Sequence, residues 1–392
     1  MTNNGVFHMH ITEELAYPII AKLKTIVHYN INIMNESGVI VASTDSTRMN
    51  QVHEGALYVL KQKSSLIIFE NDLDKYHGSK EGINLPIEFM GEIIGVVGVT
   101  GSPLELDQFV KMLKVTVEVM LQQVHFHNQL QHQKTLMDNW LLDLVHPHYF
   151  DERKNEAFAH HYIHLETSQP VQVLLVQFTN LFTHSTTNMP LSMVKEDLLK
   201  RIKLQLPKLH FQSFINDSHC VVGIPASVCP TKGEVITLAK RLQRHLQEKA
   251  FIVKTAIGHV YPGVVGYRKS YLEAHSSLEL QESFPQFSDH IHIQDWGIMD
   301  FIKRIPLEIR QEFMNRYREQ TFQLSDTLRH TLQRLFDCQL NMKETANALH
   351  IHRNTLLYRL ESVEELTGLS PRTFDDAMIL RFILLIDDMN KE

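Results

Sequence analysis

Cysteine is scarce: there are three in 392 residues, Cys220, Cys229 and Cys338, with no paired or metal-type spacing. That excludes a disulfide scaffold and a cysteine-based zinc site, and it suits a reducing, cytoplasmic setting. Long apolar runs are missing as well. The longest, near Ile93–Thr100 and Ile379–Ile386, fall far short of a membrane span, so no membrane association is expected. Met1–Glu14 lacks a basic segment followed by an apolar core, which argues against a signal peptide. Positive charge is in deficit, with 38 Lys and Arg against 45 Asp and Glu and a net charge of -7, so no general affinity for polyanions is expected.

What the chain does have is histidine, 24 in all. Several fall as His-x-His: His8/His10, His125/His127, His146/His148, His290/His292 and His350/His352. On a strand such pairs share a face. No Cys or carboxylate cluster accompanies them and no His-Glu-x-x-His occurs, so scattered surface histidine is the reading, with no metal and no cofactor.

The most informative stretch lies near the end: Lys343-Glu-Thr-Ala-Asn-Ala-Leu349, then His350-Ile, then His352-Arg-Asn-Thr-Leu-Leu-Tyr-Arg-Leu360. It reads as helix, tight turn, helix. Ala346 is small where two helices must approach, and Leu356, Leu360 and Val363 recur at helical spacing as a buried stripe. His350 stands where such turns often have Gly, and His is among the residue types that tolerate positive φ. The opposite side carries Asn354, Thr355 and Tyr358, with Arg353 at its start and Arg359 on its flank. That is the chemistry of a major-groove reader: Arg pairs with guanine edges, Asn with adenine edges, and a Thr methyl touches thymine. An ordinary amphipathic helix hairpin has the same spacing. From Ser325 to Glu392 there are 8 Lys and Arg against 11 Asp and Glu, so basic groups must be focused on one face if this unit binds DNA.

At ~100–200 residues per domain the length suggests two to four domains. Three are expected: residues 1–136, 137–296 and 297–392, the last with a core at 326–389. The first reads helix (Thr12–Val27), hairpin (Asn30–Met34 and Val39–Ser43), helix (His53–Lys63), short strand (Leu66–Phe69), polar loop (Glu70–Asn84), hairpin (Leu85–Phe89 and Ile93–Thr100) and a long helix from about Leu104 to Val145. Gly91, Gly95, Gly98 and Gly101 lie in and just after a hairpin and open no helix, so they read as turn and packing glycines. The long helix is either a linker or a dimer-forming signalling helix. The middle section alternates strands (Val171–Phe178, His219–Ile224, Ile252–Gly258) with helices (Leu191–Leu206, Lys232–Ala250, and one beginning near Tyr267 or Ser270). The last is helical: Gly297–Leu324, Asp326–Gln339, the two reading helices and Thr373–Met389. The fold class is therefore α+β multidomain: an N-terminal α/β sensor with a PAS/Cache-like sheet, a central α/β domain and a C-terminal all-α helix-turn-helix domain.

Over nearly its whole length the sequence resembles the carbohydrate diacid regulators. Matching residues in the first section are Tyr29-Asn-Ile-Asn-Ile-Met34, Arg48 followed by His53-Glu-Gly-Ala-Leu57, Gly82-Ile-Asn-Leu-Pro-Ile87, and Gly91 through Gly101. His350 through Leu360 with Leu366-Thr-Gly-Leu369 resembles the helix-turn-helix of PucR-type regulators, a highly specific motif. Gly258-His-Val-Tyr-Pro-Gly263 and Ser270-Tyr-Leu-Glu-Ala274 resemble the family's GGDEF-like domain. Where a diguanylate cyclase has its catalytic turn, this chain reads Asn216-Asp-Ser-His-Cys220, without paired glycines or a Glu beside the Asp. The resemblance implies a bacterial transcription regulator, commonly an activator of sugar-diacid or glycerate utilisation genes, binding a double-stranded operator and a small carboxylate effector. It is not expected to be an enzyme. A nucleotidyl cyclase and a protein-binding scaffold are the rival readings. If two subunits pair, two recognition helices meet half-sites about one helical turn apart or a multiple of it.

An effector with carboxylate and hydroxyl groups needs a cationic fork and neutral donors. Arg48 is the only arginine before residue 153, and it precedes an expected helix start at His53-Glu54-Gly55, where free backbone N–H groups favour an anion. Arg48, His53, Glu54 and Gly55 are thus candidate effector residues, together with Leu85 and Pro86, since Pro86 and the preceding Gly82–Leu85 loop are expected to close over them. Where the family has a Gly shortly after the Arg, this chain has Arg48-Met-Asn-Gln-Val-His53. On the DNA side the candidates are His352, Arg353, Asn354, Thr355, Tyr358 and Arg359.

Overall fold

The fold is that of a computed structural model, which describes residues 10–25, 27–76, 79–184, 189–206, 208–287, 291–321 and 324–389. The chain divides into two compact units, Met1–Lys134 and Thr135–Glu392.

In the first unit the order is α1 (Glu13–Lys24), β1 (Asn30–Asn35), β2 (Ile40–Ser43), α2 (Glu54–Gln62), β3 (Leu66–Ile68), β4 (Gly82–Phe89), β5 (Glu92–Thr100) and the long α3 (Pro103–Val145), whose last turns belong to the second unit. The strands pair antiparallel in the order β2-β1-β5-β4-β3. Local chemistry sets the hairpins. The Asn35 carboxamide accepts from Ser37 N and Val39 N and closes the first. Met90 and Gly91 both have positive φ, as a two-residue turn matched to strand twist requires.

One face of this sheet buries Ile31, Ile33, Ile83, Leu85, Ile87, Val97 and Val99 against Ile19, Ile20 and Leu23 of α1 and Leu106, Val110, Leu113, Val117 and Leu121 of α3. The other face packs Met34, Ile40 and Val96 against Ala56 and Val59 of α2 and Leu66 and Ile68 of β3. The stretch expected to be loop up to Asn84 is part strand: β4 starts at Gly82, because Leu66 to Ile68 pair with Asn84 to Gly82 and draw those residues into the sheet.

The second unit runs α4 (Glu152–His161), β6 (Val171–Phe178), α5 (Leu181–His184), α6 (Leu191–Gln205), β7 (Phe211–Phe214), β8 (His219–Pro225), α7 (Lys232–Gln247), β9 (Val253–Ile257), α8 (Gly263–Ser283), α9 (Ile293–Trp296), α10 (Ile298–Arg304), α11 (Leu307–Thr321), α12 (Asp326–Asp337), α13 (Met342–Ala348), α14 (Arg353–Thr367) and α15 (Phe374–Met389). Its sheet, ordered β7-β8-β6-β9, is antiparallel between all named strands. Helices α6 and α7 cover one face; α8 and the last turns of α3, with Trp140, Leu141 and Leu144, cover the other. The edge strand β7 escapes a sequence reading because it is only four residues, Phe-Gln-Ser-Phe.

Two helices differ from expectation. α8 begins at Gly263 rather than near Tyr267, since Val264 joins Tyr267, Tyr271, Ala274 and Leu278 in one stripe buried on the sheet. The expected Gly297–Leu324 helix is broken into α10 and α11 at Ile305-Pro306. Proline disfavours a helical residue before it, and Ile305 is extended, with ψ 129°.

The C-terminal helices close on Leu332, Leu335, Ala346, Leu356, Leu360, Val363, Leu380, Ile383 and Leu384. Ser325 caps α12 at Leu328 N and Asn341 caps α13 at Lys343 N and Glu344 N, while Gly368 ends α14 with φ 68°. Leu356 is fully buried at the centre. Leu356→Ala should therefore cost about 2–5 kcal/mol. The expected result is a lower-temperature melt of the C-terminal helices by circular dichroism of the full chain, whereas Thr355→Ala, on the exposed side, leaves the melt unchanged.

Candidate effector pocket and nucleic-acid interface

The connection from β2 to α2 is a pinned loop. A short 3-10 turn, Ser46–Arg48, is capped by Asp45, which accepts from Thr47 N and Thr47 Oγ1. Those bonds hold the Asp45 carboxyl below the ordinary carboxylate range. The chain then returns along β2, with Asn50 N donating to Ile40 O, Ile40 N to Gln51 O and His53 N to Gly38 O. Asn50 has φ 61°. Asn is among the few non-glycine types that adopt that left-handed conformation readily.

This return brings two of the sequence candidates together and buries them: Arg48 is 7% exposed and His53 4%. His53 is the N-cap of α2, its Nδ1 accepting from Ala56 N at 3.2 Å. That bond uses the Nδ1 lone pair and puts the ring proton on Nε2. Burial first, and then the Arg48 positive charge, push the His53 pKa from 6.5 down to about 4.

Other expectations need correction. The first amides of α2 are not open to an anion. Gly55 N donates to Ser79 Oγ and Ala56 N to His53, so any ligand there must displace the Ser79 hydroxyl. Gly55 is closed in by the His53 ring and Ile68, each 3.1 Å from where a Cβ would stand. Glu54 is exposed. Leu85 lies on the wrong side of the sheet, in the core with α1 and α3. Pro86 pairs with Val96 and so lies on the α2 side of the sheet.

On that α2 side lie two residues that sequence reasoning missed. Asn32 and Asn84, 2% and 3% exposed, flank Gly98 in register, and Ser43 opposite Asn32 donates its hydroxyl to Asn32 Oδ1 at 2.7 Å. A Cβ at residue 98 would lie 2.5 Å from Asn84 Oδ1, so Gly98 is what makes room for that carboxamide. The result is a polar row, Ser43, Asn32, Asn84, across an otherwise apolar face. The available signal was an Asn set between apolar neighbours in each strand, Ile31-Asn32-Ile33 and Ile83-Asn84-Leu85.

In the C-terminal helices the turn between α13 and α14 is tight. His350 has φ 54°, as its place in the sequence foretold, and Ile351 N donates to Ala346 O. His352 caps α14 through Nδ1, which accepts from Asn354 N at 3.2 Å. Leu356, Leu360 and Val363 are buried; His352, Arg353, Asn354 and Thr355 are exposed, and Tyr358 is 71% exposed. Five of the six DNA candidates are thus exposed on the N-terminal part of α14, with Asn354, Thr355 and Tyr358 on the side away from the buried stripe and Arg353 at the helix start. Glu361 and Glu365 follow on exposed positions, which leaves the N-terminal end as the part compatible with a polyanion. Arg359 is a correction. It is half-buried and donates from Nη1 to Thr331 Oγ1 at 3.2 Å, so it locks α14 to α12 instead of lying free on the flank.

Among the described residues no three or more His, Cys, Asp or Glu are grouped so that they could hold a metal ion, and His8 and His290 lie outside those residues. Several of the paired histidines instead close backbone turns. His146 Nδ1 accepts from His148 N and Tyr149 N, and His292 Nδ1 caps α9 at Gln294 N. No described helix is long and apolar enough to cross a membrane.

Comparison with known proteins agrees with this division of labour. The sugar diacid recognition family matches residues 11–144, a GGDEF-like domain family residues 157–280, and the PucR C-terminal helix-turn-helix domain family residues 328–386. The carbohydrate diacid regulator of Escherichia coli (strain K12) is 26% identical over 387 residues, covering 97% of this chain and 98% of that one. The purine catabolism regulatory protein of Bacillus subtilis (strain 168) is 29% identical over 138 residues, 34% of this chain and 25% of that one. The DNA-binding transcriptional activator AdeR of the same organism is 26% identical over 132 residues, 32% of this chain and 31% of that one. The chain therefore has the domain set of the carbohydrate diacid regulators with a PucR-type helix-turn-helix, and its architecture is that of a DNA-binding transcription regulator.

His53 makes the effector region pH-sensitive. Its folded pKa of about 4 lies below the 6.5 of the free side chain, so between those values the unfolded chain binds the extra proton and the folded chain does not. Stability is then full above pH 6.5 and falls as pH drops towards 4, by a few kcal/mol in all. Thermal melts should show this loss, and His53→Asn, which keeps a capping acceptor without the titration, should flatten it. An unchanged pH slope in that variant would show that His53 is not its source.

Proposed function

We propose that this protein is a cytoplasmic, effector-responsive transcription regulator that activates genes for sugar-diacid or glycerate utilisation. We take it to act as a homo-oligomer in three parts: a sensor (1–136), a GGDEF-like coupler (137–296) and a DNA-binding region (297–392, core 326–389). The observation that carries the reading is α14: a buried apolar back and an open N-terminal face of Arg353, Asn354, Thr355 and Tyr358. Arg353 and Asn354 supply base-edge chemistry, while His352 and the helix N-terminus face the phosphates.

For the effector, buried Arg48 supplies the fork that reads a carboxylate, and Asn32 and Asn84 supply neutral amides suited to hydroxyl groups. Neutral His53 keeps that region to a single strong cation among its buried residues. A carbohydrate diacid, the ligand class in the E. coli relative's name, fits this polarity, and so does glycerate, with one carboxylate and two hydroxyl groups.

The cyclase reading has little support. The turn before β8 is closed by the Asn216 carboxamide, which accepts from Ser218 N and His219 N, and it carries no glycine to admit a phosphate. Pure protein given GTP and Mg²⁺ is expected to form no cyclic dinucleotide; a product would reinstate the enzyme.

A duplex selected from a random library should bind in a strongly salt-dependent manner, unlike a protein partner. Arg353→Ala and Asn354→Ala should each cost about 1–3 kcal/mol on it and relax base preference, with folding intact. Normal binding by both variants would remove α14 as the reader. In isothermal titration with glycerate and glucarate, Arg48→Lys, which keeps the charge but loses the fork, should weaken binding about tenfold or more. Unchanged affinity would remove Arg48 from the site.

A further inference from the structure

Helix α3 carries two apolar stripes. Leu106, Val110, Leu113, Val117 and Leu121 are buried against the sheet. On the other side Met112, Val115, Val119, Phe126 and Leu130 are 71%, 57%, 55%, 54% and 69% exposed. Met112, Val115, Val119 and Phe126 fall at a, d, a and a of consecutive heptads, with Gln122 and Gln129 at the other d positions. From Phe126 to Gln133 every residue is exposed, and a helical stretch that buries little surface is marginal in water.

The charges around the stripe are already satisfied within the chain. Lys111 pairs with Asp107 at 2.8 Å, and Lys114 pairs with Glu88 at 2.7 Å and with Glu118 at 3.7 Å. From Gln122 to Gln133 there is no Lys, Arg, Asp or Glu. Placed against itself in parallel, the stripe sets Lys111 opposite Thr116, Glu118 opposite Gln123 and His125 opposite Leu130, so no like charges meet.

We infer that the occupant of this stripe is α3 of a second copy of the chain, paired in parallel as a two-stranded coiled coil over about Met112–Leu130. The parallel sense rests on the DNA-reading function proposed above, since it is what delivers two copies of α14 to the same side of one duplex. Gln122 and Gln129 at d positions weaken the seam and fix its register.

The test uses the full chain without DNA. Sedimentation equilibrium at micromolar concentration should give a dimer. Val119→Glu and Phe126→Glu should each give a monomer with unchanged circular dichroism, and Gln122→Leu should tighten the dimer. In a Cys338→Ser background, with Cys220 and Cys229 buried, Val119→Cys should oxidise to a disulfide-linked dimer and the outward Asn128→Cys should not. A monomeric parent, dimeric Glu variants, or a dimer that Val119→Cys fails to cross-link would each overturn the inference. Its fate is separable from that of the DNA reading: Val119→Glu that still binds duplex weakly through one half-site leaves the reader standing whatever the dimer result, and a dimer that binds no duplex sinks the reader.

Discussion

Both candidate sites stand on a helix whose first turn is capped by a histidine ring nitrogen. A helix N-terminus leaves backbone donors without partners, and the usual acceptor is a Ser, Thr, Asp or Asn side chain. Here α2, α9 and α14 begin on His53, His292 and His352, each accepting a backbone N–H through Nδ1. An imidazole can do this only as the neutral tautomer with its proton on Nε2. Burial enforces that state at His53 and at His292, whose pKa is likewise pushed down to about 4, chiefly by burial and then by Lys232. The abundance of histidine thus has a backbone use, and the candidate effector region and the start of α14 share one capping device.

The capping shapes each candidate site. In the first unit, the His53 ring and the Ser79 hydroxyl occupy the first amides of α2, which leaves Arg48 and the carboxamides of Asn32 and Asn84 as the buried polar groups on which the proposed effector site rests. In the C-terminal helices, His352 fixes the first turn of α14, and the Arg359–Thr331 bond sets that helix against α12. Arg353 and Asn354 then project from a frame whose position is determined on the buried side, as site-specific recognition demands.

The reading helix was legible because its information is local. The Leu356, Leu360, Val363 period, small Ala346 and the positive-φ histidine all lie within a short segment, and each behaves as its neighbours in sequence require. The sensor was less legible for reasons of phase and distance. Starting β4 at Leu85 instead of Gly82 hides that Asn84 and Pro86 share one face while Leu85 takes the other. A polar residue in an alternating strand suggests a solvent face, yet this sheet is covered on both sides by α1 and α3 and by α2. The partners that overturned two expectations, Ser79 for Gly55 and Thr331 for Arg359, lie 24 and 28 residues away, where no periodicity points.

In the proposed function, a small carboxylate in the sensor and an operator on α14 act on one equilibrium. The direct measurement is operator affinity of the full chain across a glycerate titration, at fixed salt, together with glycerate affinity with and without operator. Coupling of about 1–3 kcal/mol, five- to 150-fold and equal in both directions, is the predicted result. Operator affinity that is independent of saturating effector would contradict it.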